Sequence, residues 1–177
     1  MKKRDLKKMS SRKVLNLFLT SLFLLSFISA FAQTKKTDYS GTWTFNESKS
    51  LLGKGMGRRA ASKLVISQVE NVLTIEKTST RQSGETMTAV EKYNFDGVET
   101  DNSSGNRKKK STALWSADLK ELTIKSTTIF EREGNTMEIK TIEIFKLADD
   151  EISLVIETTS VSDRGESKTS LFYDRAE

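Results

Sequence analysis

Histidine and cysteine are both absent from the 177 residues, which removes Ser-His-Asp and Cys-His nucleophile arrangements and the ligand sets of nearly all transition-metal sites. No metal, no cofactor and no enzymatic activity are expected. Carboxylate and cation chemistry remains. Asp149, Asp150 and Glu151 are the densest acids, but three acids between two apolar segments read as a solvated turn, because Asp hydrogen-bonds its own backbone there. Gly53-Lys54-Gly55-Met56-Gly57-Arg58-Arg59 offers backbone amides and cations to a phosphate. No Gly-Lys-Ser/Thr follows at the spacing of a phosphate-binding loop, and no helix pattern begins after it. The stretch reads instead as a flexible loop. Lying over an open end, it would offer Leu51, Leu52 and Met56 as a lid and Arg58 and Arg59 as a rim for anionic ligands. Arg107, Lys108, Lys109 and Lys110 form a basic run at the start of an apolar segment. It is either a solvated strand end or a contact patch for an acidic glycan or lipid head group. It lacks the interleaved aromatics on which single-strand binders stack bases, so no nucleic-acid partner is expected.

The elements that must position these residues are strands. From Gly41 onward short alternating segments are broken by Gly, Asn and Asp, the pattern of consecutive strands joined by hairpins. Strands are predicted near 41–46, 62–69, 72–80, 86–95, 107–115, 121–130, 136–147, 152–161 and 166–174, with a short one at 98–101. Turn residues separate them at Glu70-Asn71, Ser83-Gly84, Asp96-Gly97, Ser104-Gly105, Gly134-Asn135, Asp149-Asp150 and Arg164-Gly165. Leu73 and Ile75 alternate with Thr74 and Glu76, and Leu122 and Ile124 with Thr123 and Lys125, so one face is buried and one is wet. The expected fold class is all-β, an antiparallel up-and-down barrel of about 8–10 strands, because closure removes the exposed edges that a sandwich keeps. An outer-membrane barrel is disfavoured, since Glu76, Lys125, Glu138 and Lys140 would face lipid and aromatics are 8% of the chain.

The segment before the strands is different in kind. Lys2, Lys3, Arg4, Lys7, Lys8, Arg12 and Lys13 precede an apolar run from Leu17 to Phe31, which ends in Ala30-Phe31-Ala32. This is the order of a secretory signal peptide with cleavage before Gln33. The expected organisation is a signal peptide at 1–32, a linker at 33–40 and one barrel domain at 41–177. The product is expected to be exported, periplasmic or secreted from a bacterium, with no transmembrane anchor after cleavage. The chain carries 29 basic and 24 acidic residues, but the leader holds all of that excess, and 33–177 is nearly neutral. The sequence pI near 9.3 is therefore no argument for a polyanionic partner.

At Gly41-Thr42-Trp43 the first strand opens with a Gly-x-Trp motif, and the last ends in Arg175. There the sequence resembles the lipocalin-like (calycin) barrels, in particular small secreted bacterial lipocalin-like domains. The resemblance implies that Arg175 stacks over Trp43 to close the barrel, with Gly41 giving the chain room to pass. It also implies non-covalent binding of a small apolar or amphipathic ligand inside the barrel. The alternative is a filled barrel acting as a cell-envelope interaction or stress protein. The disulfide of vertebrate lipocalins and a second Asp-x-x-Tyr motif are not recognisable, so retinoid-type ligands are not implied.

Overall fold

The computed structural model describes residues 35–176 apart from 53–59, 82, 133, 149 and 151. The expected leader, 1–32, lies outside them. The described residues belong to the unit Lys35–Glu177, and among them there is no helix. The strands are β1 (Gly41–Leu51), β2 (Lys63–Val69), β3 (Val72–Thr80), β4 (Thr86–Asn94), β5 (Thr100–Asp101), β6 (Arg107–Trp115), β7 (Leu122–Arg132), β8 (Asn135–Leu147), β9 (Ser153–Ser162) and β10 (Gly165–Arg175).

They form one antiparallel sheet in the order β4-β3-β2-β1-β10-β9-β8-β7-β6-β5. Every neighbour follows in sequence except β1 and β10, whose pairing of Trp43 with Arg175 and Phe45 with Tyr173 brings the chain's ends together. The sheet thus curls into a nearly closed up-and-down barrel. Its seam lies between β4 and β5/β6, where no ladder runs. There the Asn102 side chain stands in for a strand, accepting from the Lys92 amide at 2.8 Å and donating to the Lys92 carbonyl at 2.9 Å.

Two features depart from the expected outline. β1 runs on to Leu51 through a register shift after Asn46. The hydroxyl of Ser50 makes this feasible, donating to the Asn46 carbonyl at 2.7 Å and accepting from the Phe172 amide at 2.8 Å, so a polar run that looked like loop stays tied to β10. The second departure corrects the linker at 33–40. Tyr39 is fully buried, with its hydroxyl 2.8 and 2.7 Å from the Lys120 and Phe145 carbonyl oxygens. The Thr37 amide donates to the Leu119 carbonyl at 3.0 Å. Residues 37–40 are part of the barrel floor.

The interior is filled at that end. Tyr39, Trp43, Leu64, Leu73, Ile75, Tyr93, Leu122, Ile124, Phe145 and Leu154 are all essentially inaccessible and pack as one cluster. Apart from Tyr39, which precedes β1, they come from inward positions of β1–β4 and β7–β9, as the period-two alternation of strands such as β3 requires. This half supplies the hydrophobic stabilisation.

Candidate functional site

Three of the residues singled out in the sequence meet at the floor. The Arg175 guanidinium carbon lies 4.3 Å from the centroid of the Trp43 ring, and Nη1 donates to the Ser40 carbonyl at 2.9 Å. The indole Nε1 donates to the Tyr39 carbonyl at 2.9 Å. Gly41 sits beneath the guanidinium at φ +140°, where an added Cβ would stand 2.6 Å from Arg175 Nη1. Both the backbone angle and the close approach call for glycine. This assembly joins the first strand to the last, and none of its three residues lines the cavity of the other half.

The other half of the barrel is hollow. A cavity of about 760 Å³ opens above the filled core. Its walls continue the same inward registers, whose chemistry changes part-way along each strand. On β3, Leu73 and Ile75 give way to Lys77 and Ser79; on β4, Tyr93 gives way to Glu91 and Ala89. On β8, Phe145 gives way to Glu143, Thr141 and Ile139; on β9, Leu154 and Ile156 give way to Thr158 and Ser160. Phe130, Ile139, Leu171 and Met87 add apolar surface among the hydroxyls. The result is an amphipathic chamber standing on a layer of charge.

Glu91 is the centre of that layer and only 3% exposed. Its Oε1 accepts from Lys109 Nζ at 2.7 Å and Arg107 Nη2 at 3.2 Å. Its Oε2 accepts from the Tyr93 hydroxyl at 2.7 Å and pairs with Lys77 Nζ at 2.8 Å. Because Arg107 and Lys109 lie on β6, these bonds also cross the open seam from β4. Burial works to raise the Glu91 carboxyl, but the Lys77 and Lys109 ammonium groups outweigh it and hold the group well below the ordinary carboxylate range. Burial likewise works to lower Lys77, and the Glu143 and Glu91 carboxylates more than reverse it. For Lys109 burial prevails, and with the Lys77 charge it draws the group below its ordinary value against the pull of Glu143 and Glu91. Burial pushes the Tyr93 phenol well up, so it serves as a hydrogen-bond donor.

This geometry corrects the reading of residues 107–110 as one contact patch. Alternation along β6 sends Arg107 and Lys109 inward and Lys108 and Lys110 outward. Lys108 pairs with Glu131 at 2.6 Å and Lys110 with Asp101 at 2.9 Å, so the four charges never share a surface. The lid is corrected in part as well: Leu51 and Leu52 are exposed and neither borders the cavity, whose margin on that side is Ala60 and Ala61. Met56, Arg58 and Arg59 lie outside the described residues. Asp150 accepts from the amides of Ile152 and Ser153 at 3.0 and 2.8 Å, as a turn residue does; Asp149 and Glu151 lie outside the described residues. Lys77, Glu91 and Glu143 were not singled out from the sequence. The signal was available in the inward registers of β3, β4 and β8, extended past their apolar residues.

No protein-family model matches the chain, and no curated protein matches it. Among solved structures it is similar to the zebrafish ileal bile acid-binding protein complexed with cholic acid. The two share 14% identity over 78% of this chain and 98% of that one, with a TM-score of 0.49.

Proposed function

We propose that this chain is an exported, lipocalin-like binding protein that takes a small amphipathic molecule, non-covalently, into the open half of its barrel. The observation that carries this reading is the cavity of about 760 Å³ over a filled floor. Ligand pockets commonly run from about 300 to 1,000 Å³. A barrel serving only as a rigid interaction scaffold gains nothing from leaving half its interior unpacked, since voids forfeit dispersion contacts. A wholly apolar ligand fits poorly, because seating it on Lys77, Glu91 and Arg107 would strip water from charges without replacing it. The ligand therefore has a polar end directed at the charge layer and an apolar body against Phe130, Ile139 and Leu171. Binding rather than catalysis is proposed, because Glu91 is saturated with donors and held ionised, which suits neither a general acid nor a nucleophile.

The test uses the neutral fluorescent probe N-phenyl-1-naphthylamine. Saturable binding is expected for the native protein. Thr141→Trp, which fills the chamber from the β8 wall, should abolish it with the β-sheet circular dichroism unchanged. Undiminished binding to that variant would rule the chamber out as the site. An exported form beginning at Gln33 checks the leader in the same preparation.

A further inference from the structure

Among the described residues lining the chamber away from its rim, three cations, Lys77, Arg107 and Lys109, face two carboxylates, Glu91 and Glu143. At the rim stand Arg164 and Glu166, the latter paired with Lys168 at 3.0 Å, and they lie outside this count. One positive charge is left unmatched, and hydrogen bonding shows where it is accessible. Glu91 is surrounded by Lys109, Arg107, Lys77 and the Tyr93 hydroxyl, so its four acceptor positions are taken. Glu143 lies 3.9 Å from Lys77, outside hydrogen-bond distance. Lys109 is nearly inaccessible and divides its ammonium between Glu91 and the Tyr93 hydroxyl. Arg107 differs. It spends one donor, through Nη2, on Glu91 and is 31% exposed, and it lines the cavity.

Resting on the cavity reading above, we propose that the ligand carries a single oxyanionic group, a carboxylate or sulfonate, which seats on the free donors of Arg107 at the chamber floor with Lys77 beside it. A guanidinium presents five donors in a planar fork that matches two oxygens at once. Glu91 fixes one arm of that fork and leaves the remainder toward the chamber. The anion cancels the unmatched charge in a partly desolvated site, where the interaction is stronger than in water. A neutral molecule of the same shape leaves Arg107 to whatever water stays below it.

The experiment compares two probes sharing an anilinonaphthalene body: N-phenyl-1-naphthylamine, which is neutral, and 1-anilinonaphthalene-8-sulfonate, a monoanion. The native protein should bind the sulfonate about tenfold or more tightly than the neutral probe, the usual scale of a charge-assisted hydrogen bond. Arg107→Gln should erase most of that preference while leaving neutral-probe affinity within about threefold, since that probe makes no charge-assisted bond. Glu143→Gln, which removes a competing negative charge, should tighten the sulfonate severalfold and leave the neutral probe unchanged. Partly unfolded chains also bind this sulfonate, so the gain counts with the β-sheet circular dichroism unchanged and without a matching gain for the neutral probe; on those terms this variant decides the matter if Arg107→Gln fails to fold. Equal affinity for the two probes, or no tightening in Glu143→Gln, overturns the proposal. Thr141→Trp separates the two readings. If it abolishes both probes while the native protein does not discriminate between them, only the anion inference falls. If it spares both, they bind elsewhere and the cavity reading falls with it.

Discussion

Trp43→Ala is expected to lower the unfolding free energy by about 3–5 kcal/mol, the range for a large aromatic removed from a filled core. The indole is completely buried, bonded through Nε1 to the Tyr39 carbonyl and capped by Arg175. Its removal leaves a void under the guanidinium and loosens Tyr39, whose ring also stacks on Trp115 at 5.6 Å. Arg175→Ala should cost less, about 1 kcal/mol, because the guanidinium is open to solvent on its outer face and loses one cation–ring contact and some packing. In chemical denaturation a double-mutant cycle on the pair should give a coupling above the ~0.5 kcal/mol limit for independent sites. Simple additivity would mean that the stacking does not tie β1 to β10.

Glu91→Gln is expected to cost about 3 kcal/mol near neutral pH, the lower end of what breaking a buried ion pair costs, because chamber water can reach Arg107 and Lys77. The variant keeps the shape of the side chain but leaves Lys77, Arg107 and Lys109 facing a neutral amide across the β4–β6 seam. The pH dependence distinguishes charge from packing. The folded Glu91 carboxyl titrates well below its ordinary value of 4.5. Its contribution is therefore present in full above about pH 4.5, and it is lost as pH falls through the depressed folded value. Native protein should lose stability on acidification below that point, whereas Glu91→Gln should be flatter over the same window. Urea midpoints measured down the acid range check this; parallel curves for the two proteins would remove Glu91 as the source.

The floor of the barrel was legible in the sequence because alternation, turn residues and closure all point the same way there. Leu73, Ile75, Leu122 and Ile124 mark the inward face, and the turns at Gly84, Gly97, Gly105, Gly134 and Gly165 each adopt the left-handed backbone their position requires. Leu119, at φ +59°, gave no such signal. It is held by Ser116 and Asp118, the latter accepting from the Ser116 hydroxyl at 2.6 Å and the Lys120 amide at 3.2 Å, so neighbouring side chains do what a glycine does elsewhere. The chamber was less legible. Charged residues are usually assigned to the wet face, and Lys77, Glu91, Arg107 and Lys109 keep inward registers only because each completes the others' pairing. Those partners lie on β3, β4 and β6, and the seam that brings β4 against β6 is a tertiary feature no local pattern encodes. Extending the register of Ile75 by two residues to Lys77, or of Tyr93 by two to Glu91, identifies the side chains involved. Only the fold shows that they meet.

Methyl-resolved NMR during titration with 1-anilinonaphthalene-8-sulfonate distinguishes a binding chamber in the upper half of the barrel from a core in the lower half. The methyl signals of Ile139, Leu171 and Ala89, which border the chamber, should shift progressively and saturate together. Those of Leu64 and Leu122, buried in the floor, should stay near their starting positions. Shifts confined to outward-facing residues such as Val98 and Leu114, with the chamber methyls unmoved, would place the ligand on the outer surface and leave the chamber without a binding role.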